Sequence, residues 1–164
     1  MKLNTDGAIF GEPKKAGGGG VLRCSNGNWI TGFARKLGTV SNVMAKLWAL
    51  KDGLALAKQL NLLNVNIELD AELIVHLLSS PATVNLMLEP LLNECRTLIR
   101  VMPNCFMTHI HWKANRCADR MAKMGADLAT DFQILYVPPL VVDIDLLFNV
   151  IYPVFHQKKE NKTL

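Results

Sequence analysis

The hydrophobic period of this chain first changes at Ser41, from short strand-like runs to helical spacing. Before it, Lys2 to Ala8, Gly17 to Arg23 and Trp29 to Lys36 are β-rich runs separated by turn chemistry, and Asn26-Gly27 joins the last two. An Asn-Gly pair between such runs is a strong hairpin signal, because both central residues of a tight primed turn need positive φ. Three antiparallel strands therefore open the fold. After Ser41, Val43, Leu47, Leu50, Leu54 and Ala57 recur at helical spacing behind a Ser/Asn cap, which predicts a helix to about Leu60.

Val65, Ile67 and Leu69 alternate with Asn66, Glu68 and Asp70, the two-residue period of a strand that ends at Asp70. A short helix over Ala71 to Leu78, a second entered at Pro90, a strand over Phe106 to Trp112 and a helix from Asn115 to about Leu128 complete the order βββαβααβα. That order gives a mixed sheet, an antiparallel meander followed by crossovers, with helices on its faces. The 164 residues, half of them hydrophobic, suffice for one domain with a real core. It is expected over residues 1–131, followed by an apolar arm packed on it (132–156) and a disordered basic tail (157–164). Leu140 to Phe155 is interrupted by Asp143 and Asp145 and is too short to span a membrane. No apolar leader opens the chain and the four cysteines form no C-x-x-C pair, so a non-secreted, reduced protein is expected, with nucleus or cytoplasm left open.

Three aspartates stand where a carboxylate is otherwise a poor choice: Asp6 inside the first strand, Asp70 ending the fourth and Asp119 early in the last helix. If they converged on one edge of the sheet, their charge would demand a cation, and hard oxygen ligands select Mg²⁺ or Mn²⁺. Spacing alone leaves the blander alternative, since most aspartates near strand ends are turn or cap residues. Gly17 to Gly20 lacks the Gly-Lys-Ser/Thr of a phosphate-binding loop and reads as a strand where side chains must be small.

Leu3-Asn4-Thr5-Asp6-Gly7-Ala8, the run from Ala16 to Arg23, Asn26-Gly27-Asn28-Trp29 with Gly32-Phe33, Leu47 to Leu54, Glu68-Leu69-Asp70, and Ala114-Asn115-Arg116-Cys117-Ala118-Asp119 follow one another as the motifs of a known family do. Together, over about Lys2 to Pro139, they resemble the plant ribonuclease-H-like family, the reverse-transcriptase-associated RNase H type-1 domains. The resemblance implies an α/β fold with a five-stranded mixed sheet and helices on both faces. It also implies two-metal endonucleolytic hydrolysis of the RNA strand of an RNA–DNA hybrid. By motif, the family's four carboxylates fall on Asp6, position 46, Asp70 and Asp119, with Asp6, Asp70 and Asp119 as metal ligands. His109, six residues before Asn115, would relay protons or release product. His109 and His111 share a strand face, so a metal pair or two exposed histidines are both open. No small-molecule cofactor is implied, and a monomer is expected.

Two motifs depart from the pattern. The family's Ala-Glu-Leu-Trp-Ala-Leu reads Ala45-Lys46-Leu47-Trp48-Ala49-Leu50, and its Arg-Glu-Ala-Asn reads Trp112-Lys113-Ala114-Asn115. Lys46 lies along the apolar stripe of its helix, so its ammonium either finds the aspartates or snorkels out. The resemblance therefore implies a hybrid ribonuclease impaired by Lys46. The alternatives are a catalytically inactive, retroelement-derived nucleic-acid-binding pseudo-enzyme and a protein-interaction domain using the apolar arm. The net charge of +4, about half of it in the last dozen residues, is compatible with a nucleic-acid partner without requiring one. Among the tryptophans, Trp112 beside Lys113 is the plausible nucleic-acid contact.

Overall fold

A computed structural model describes residues 1–62, 64–80 and 85–151. The expected tail, 157–164, and the end of the arm, 152–156, lie outside the described residues. Strands β1 (Lys2–Phe10), β2 (Lys15–Arg23) and β3 (Trp29–Gly38) form the antiparallel meander. Gly27 takes a positive φ but Asn26 does not, so in place of the expected primed turn on Asn26-Gly27 the chain turns at Ser25-Asn26, closed by Gly27 N–H to the Cys24 carbonyl at 3.0 Å. Helix α1 (Asn42–Gln59) starts at Ser41, whose hydroxyl accepts from the Met44 N–H at 3.2 Å. It crosses the sheet to β4 (Val65–Leu69), which pairs parallel with β1. Helices α2 (Glu72–Ser79) and α3 (Glu89–Val101, with Pro90 in its first turn) lead to β5 (Cys105–His109), parallel to β4. A single 3₁₀ turn (Trp112–Asn115) then opens α4 (Arg116–Ala126).

This is the mixed sheet with helices on both faces that the resemblance implies, with one addition. Phe132–Leu135 forms β6, antiparallel to β3, so the sheet has six strands in the order β5-β4-β1-β2-β3-β6 rather than five. Helix α5 (Leu140–Ile151) follows and packs on α4. Its Val142 is buried against Val21, Ala34, Cys117 and Met121, and Asp145 faces Arg116 and Arg120.

The main core lies between the sheet and α1. Leu3, Leu22, Phe33 and Ile67 meet Leu47, Leu50 and Leu54, with Leu92 and Cys95 of α3 closing the layer. Two glycines set how close the helices come. A Cβ on Gly7 would overlap the backbone of Ala45 and Lys46, and one on Gly19 the backbone of Met121 and Ala122. Bare backbone at these positions lets α1 and α4 lie directly on β1 and β2, so position 46 is pressed against the residue beside Asp6.

Burial also silences the cysteines of this core. It pushes the Cys95 thiol up to about 12 and that of Cys117 up to about 11, so neither forms appreciable thiolate near neutrality. Labelling with a thiol-specific disulfide reagent at mildly alkaline pH is expected to leave Cys95 and Cys117 unmodified until the protein is unfolded. Rapid native labelling of either would show that the helix layers open.

Candidate active site

Alternation along β1 places Lys2, Asn4 and Asp6 on one face, and along β4 it places Asn66 and Glu68 beside them. Most of these polar groups are spent on one another. Asn4 Nδ2 donates to Glu68 Oε2 at 3.0 Å, Arg23 Nη2 donates to Asn4 Oδ1 at 2.6 Å, and Lys2 Nζ lies 2.9 Å from Glu68 Oε1. Asn115, buried where the 3₁₀ turn meets α4, donates through Nδ2 to the Thr5 carbonyl at 3.0 Å. This buried network fixes the start of α4 against β1 one residue from Asp6. Polar residues at every second position of two paired strands were its sequence signal, and the motif reading passed over them.

Asp6 is buried within β1, and its Oδ1 accepts from the Gly7 N–H at 2.8 Å. The Lys46 ammonium reaches it from the first turn of α1, bonding Asp6 Oδ1 and, at 2.9 Å, Asp70 Oδ1 just past the end of β4. Lys46 does not snorkel away: its side chain is only 19% exposed, against 7% for Asp6 and 12% for Asp70. Burial pushes the Asp6 carboxyl above the ordinary range, against the pull of Lys46. Burial acts on Lys46 in the lowering sense, but the charge of Asp6 and the hydrogen bonds to both aspartates outweigh it. The ammonium is therefore held above the ordinary lysine value and stays protonated at neutral pH.

The remaining expected residues lie apart from this bridge. Asp119, in the first turn of α4, pairs with Lys123 at 2.7 Å along its own helix and is partly exposed. His109 is exposed at the end of β5, its Nε2 3.3 Å from the Asp70 carbonyl oxygen. His111 is turned to other partners, its ring against Trp112 and its Nδ1 accepting from the Lys113 N–H at 3.3 Å. Among the described residues, no group of three His, Cys, Asp or Glu side chains is arranged to hold a metal ion.

The donor set as built does not fit two divalent ions. A catalytic Mg²⁺ site needs carboxylate oxygens free to coordinate, and here an ammonium already bridges the two carboxylates that come together. The three charges sum to −1, where a carboxylate at position 46 would give −3. The arrangement can hold β1, α1 and the end of β4 together electrostatically. It offers no vacant oxygen cage.

Comparison with known proteins bears on the family and the fold. A protein of Arabidopsis thaliana provisionally named a ribonuclease H protein is 34% identical over 132 residues, which cover 80% of this chain but only 21% of the relative. The chain thus spans about a fifth of that protein's length. Among solved structures, RNase H1 of Halobacterium salinarum superposes with a TM-score of 0.70 at 24% identity, covering 77% of this chain and 96% of that one. LC11-RNase H1, solved in complex with an RNA/DNA hybrid, gives 0.68 at 24% identity, over 77% and 96% of the two chains. These two likenesses concern the fold. The sequence pattern of a family described as reverse transcriptase-like matches residues 4–125, which include all three aspartates, Lys46 and His109. From this match and the shared fold, the chain belongs to the reverse transcriptase-like family of RNase H-type domains.

Proposed function

We propose that this domain binds RNA–DNA hybrids as RNase H-type domains do, through backbone and 2′-hydroxyl contacts rather than base sequence, and that Lys46 largely suppresses hydrolysis of the RNA strand. The observation that carries this reading is the Lys46 ammonium bridging Asp6 and Asp70, where a hydrolytic site needs open metal ligands. Asp6, Asp70, Asp119 and His109 keep the family's positions, so the loss falls on chemistry rather than on the fold that presents the groove. The hybrid-bound structure of LC11-RNase H1 supports the choice of ligand.

With a net charge of only +4, few phosphates are neutralised on binding. About four contacts would cost roughly 100-fold in affinity between about 50 and 200 mM salt, with little dependence on base sequence. Fluorescence anisotropy with a labelled hybrid across that range tests both points. Salt-independent binding, or strong preference for one sequence, would overturn the backbone-reading groove.

A further inference from the structure

Trp112 stands out among the three tryptophans. Trp48 is covered by Arg35 and Lys51, whose charged groups lie 5.2 and 3.9 Å from its ring centre, and Trp29 packs beside the cluster of Val21 and Met121 with its indole N–H buried. Trp112 is 61% exposed, on the 3₁₀ turn that precedes α4. A large aromatic left in water on a mobile tip would be unremarkable, but this one is held in place. On its N-terminal side, Ile110 donates to the Leu69 carbonyl at 2.8 Å and His109 touches the carbonyl of Asp70. On its C-terminal side, Asn115 is bonded to the carbonyl of Thr5, next to Asp6. Ala114 N–H to His111 C=O at 2.8 Å closes the turn itself. The backbone that carries the indole is thus anchored on both sides, to the end of β4 beside Asp70 and to β1 beside Asp6.

Its neighbours are cationic or titratable. The His111 ring lies 5.7 Å from the indole, centre to centre, the Lys113 ammonium 5.7 Å from the indole centre, and the half-exposed Arg116 follows one turn on. A rigid exposed indole flanked by cations fits a polyanion that has flat faces to stack. In a paired helix those faces are covered by neighbouring base pairs, and they are open where a strand is unpaired.

We propose that Trp112, with Lys113 beside it, is a stacking platform for an unpaired nucleotide, so that the preferred ligand is a hybrid continuing into a single strand. This rests on the hybrid-binding reading above and specifies the nucleic acid it concerns. Lys113 meets the adjoining phosphate while the indole covers the base.

The test measures affinity for a blunt hybrid of about 12 base pairs and for the same hybrid with an extension of about five nucleotides on either strand, covering the span of a small single-strand site. The unmodified protein is expected to prefer an extended hybrid about tenfold, the worth of one stacked base. Trp112→Ala should remove that preference without changing the melting temperature, and Trp112→Phe should keep most of it. Tyr136→Ala, at a still more exposed aromatic beyond β6 at the opposite edge of the sheet, should change nothing. Equal affinity for blunt and extended hybrids, or a preference that survives Trp112→Ala, overturns the platform and leaves Trp112 to a protein contact. Absence of binding to any hybrid overturns the hybrid-binding reading and the platform with it.

Discussion

Lys46→Glu is expected to raise Mg²⁺-dependent cleavage of the RNA strand of a hybrid by at least about 100-fold over the unmodified protein, with hybrid affinity changed far less. The lysine joins Asp6 and Asp70 through one ammonium, so replacing it removes the cation that neutralises them and adds a third carboxylate at the same place. Local charge moves from −1 to −3, which converts a self-satisfied ion bridge into a site that requires divalent cations. The close approach of α1 at Gly7 is a backbone property and survives the substitution, so the new carboxylate would be presented where the ammonium of Lys46 now is. Binding, carried by phosphate and 2′-hydroxyl contacts, does not depend on that carbon chain. The measurement is single-turnover cleavage of both proteins with Mg²⁺ and with a chelator, beside calorimetric titration of Mg²⁺. Robust cleavage by the unmodified protein, abolished by Asp70→Asn, would show that Lys46 leaves the carboxylates in solution and that the suppressed-hydrolysis reading is wrong.

Lys46→Met should cost about 2 to 3 kcal/mol of folding stability, somewhat less than the roughly 3 to 5 kcal/mol for breaking a fully buried ion pair, because the lysine is not wholly shielded. For a chain of this length that is a fall in Tm of roughly 5–10 °C. Two buried carboxylates would then face each other without a cation, and the one in β1 already sits above its ordinary pKa with the lysine present. Losing Lys46 raises it further, so the folded state binds a proton more tightly than the unfolded state does. Stability of the variant should therefore be highest near pH 4 and fall as pH rises through the elevated Asp6 pKa. The unmodified protein should show the same Asp6-linked fall to a smaller extent, because its carboxyl is raised less. Lys46, held above the ordinary lysine value, contributes stability that is fully present through neutral pH and is lost only as strongly alkaline pH passes its folded pKa. Urea titrations of both proteins at about pH 4.5 and pH 8 check the sign. A variant as stable as the parent at the higher pH would show that the bridge contributes nothing.

How legible this was depended on whether the signal lay in local pattern or in contacts between distant segments. The meander, its Asn26-Gly27 turn, the Ser41 cap and the alternation of β4 carry their own chemistry, and each appears in the structure close to where the sequence places it. β6 did not announce itself. Phe132–Leu135 is four residues long with no clean alternation, and its strand character comes from pairing with β3 rather than from its own composition. At the site, periodicity put Lys46 along the apolar stripe but left its direction open. That was decided by Gly7, whose missing side chain brings the helix down onto β1. Asp119 is the converse case: its position early in α4 was readable, whereas its pairing with Lys123 instead of the other aspartates is a rotamer outcome that spacing does not encode.

The β6–α5 extension bears on solubility. The match to the family's sequence pattern ends at residue 125, yet the sheet and its outer layer continue past it. A chain cut at that boundary would retain every family motif and still lose the strand that pairs with Gly32, Phe33, Ala34 and Arg35 of β3, opening that stretch of the sheet edge. It would also uncover the patch around Met121 and Cys117 that Val142 now fills, and deprive Arg116 and Arg120 of Asp145. An open strand edge beside an apolar patch is a template for a second copy of the same chain. Beyond covering the core, these last two elements replace the middle of that edge with the four-residue β6, a shorter template for pairing.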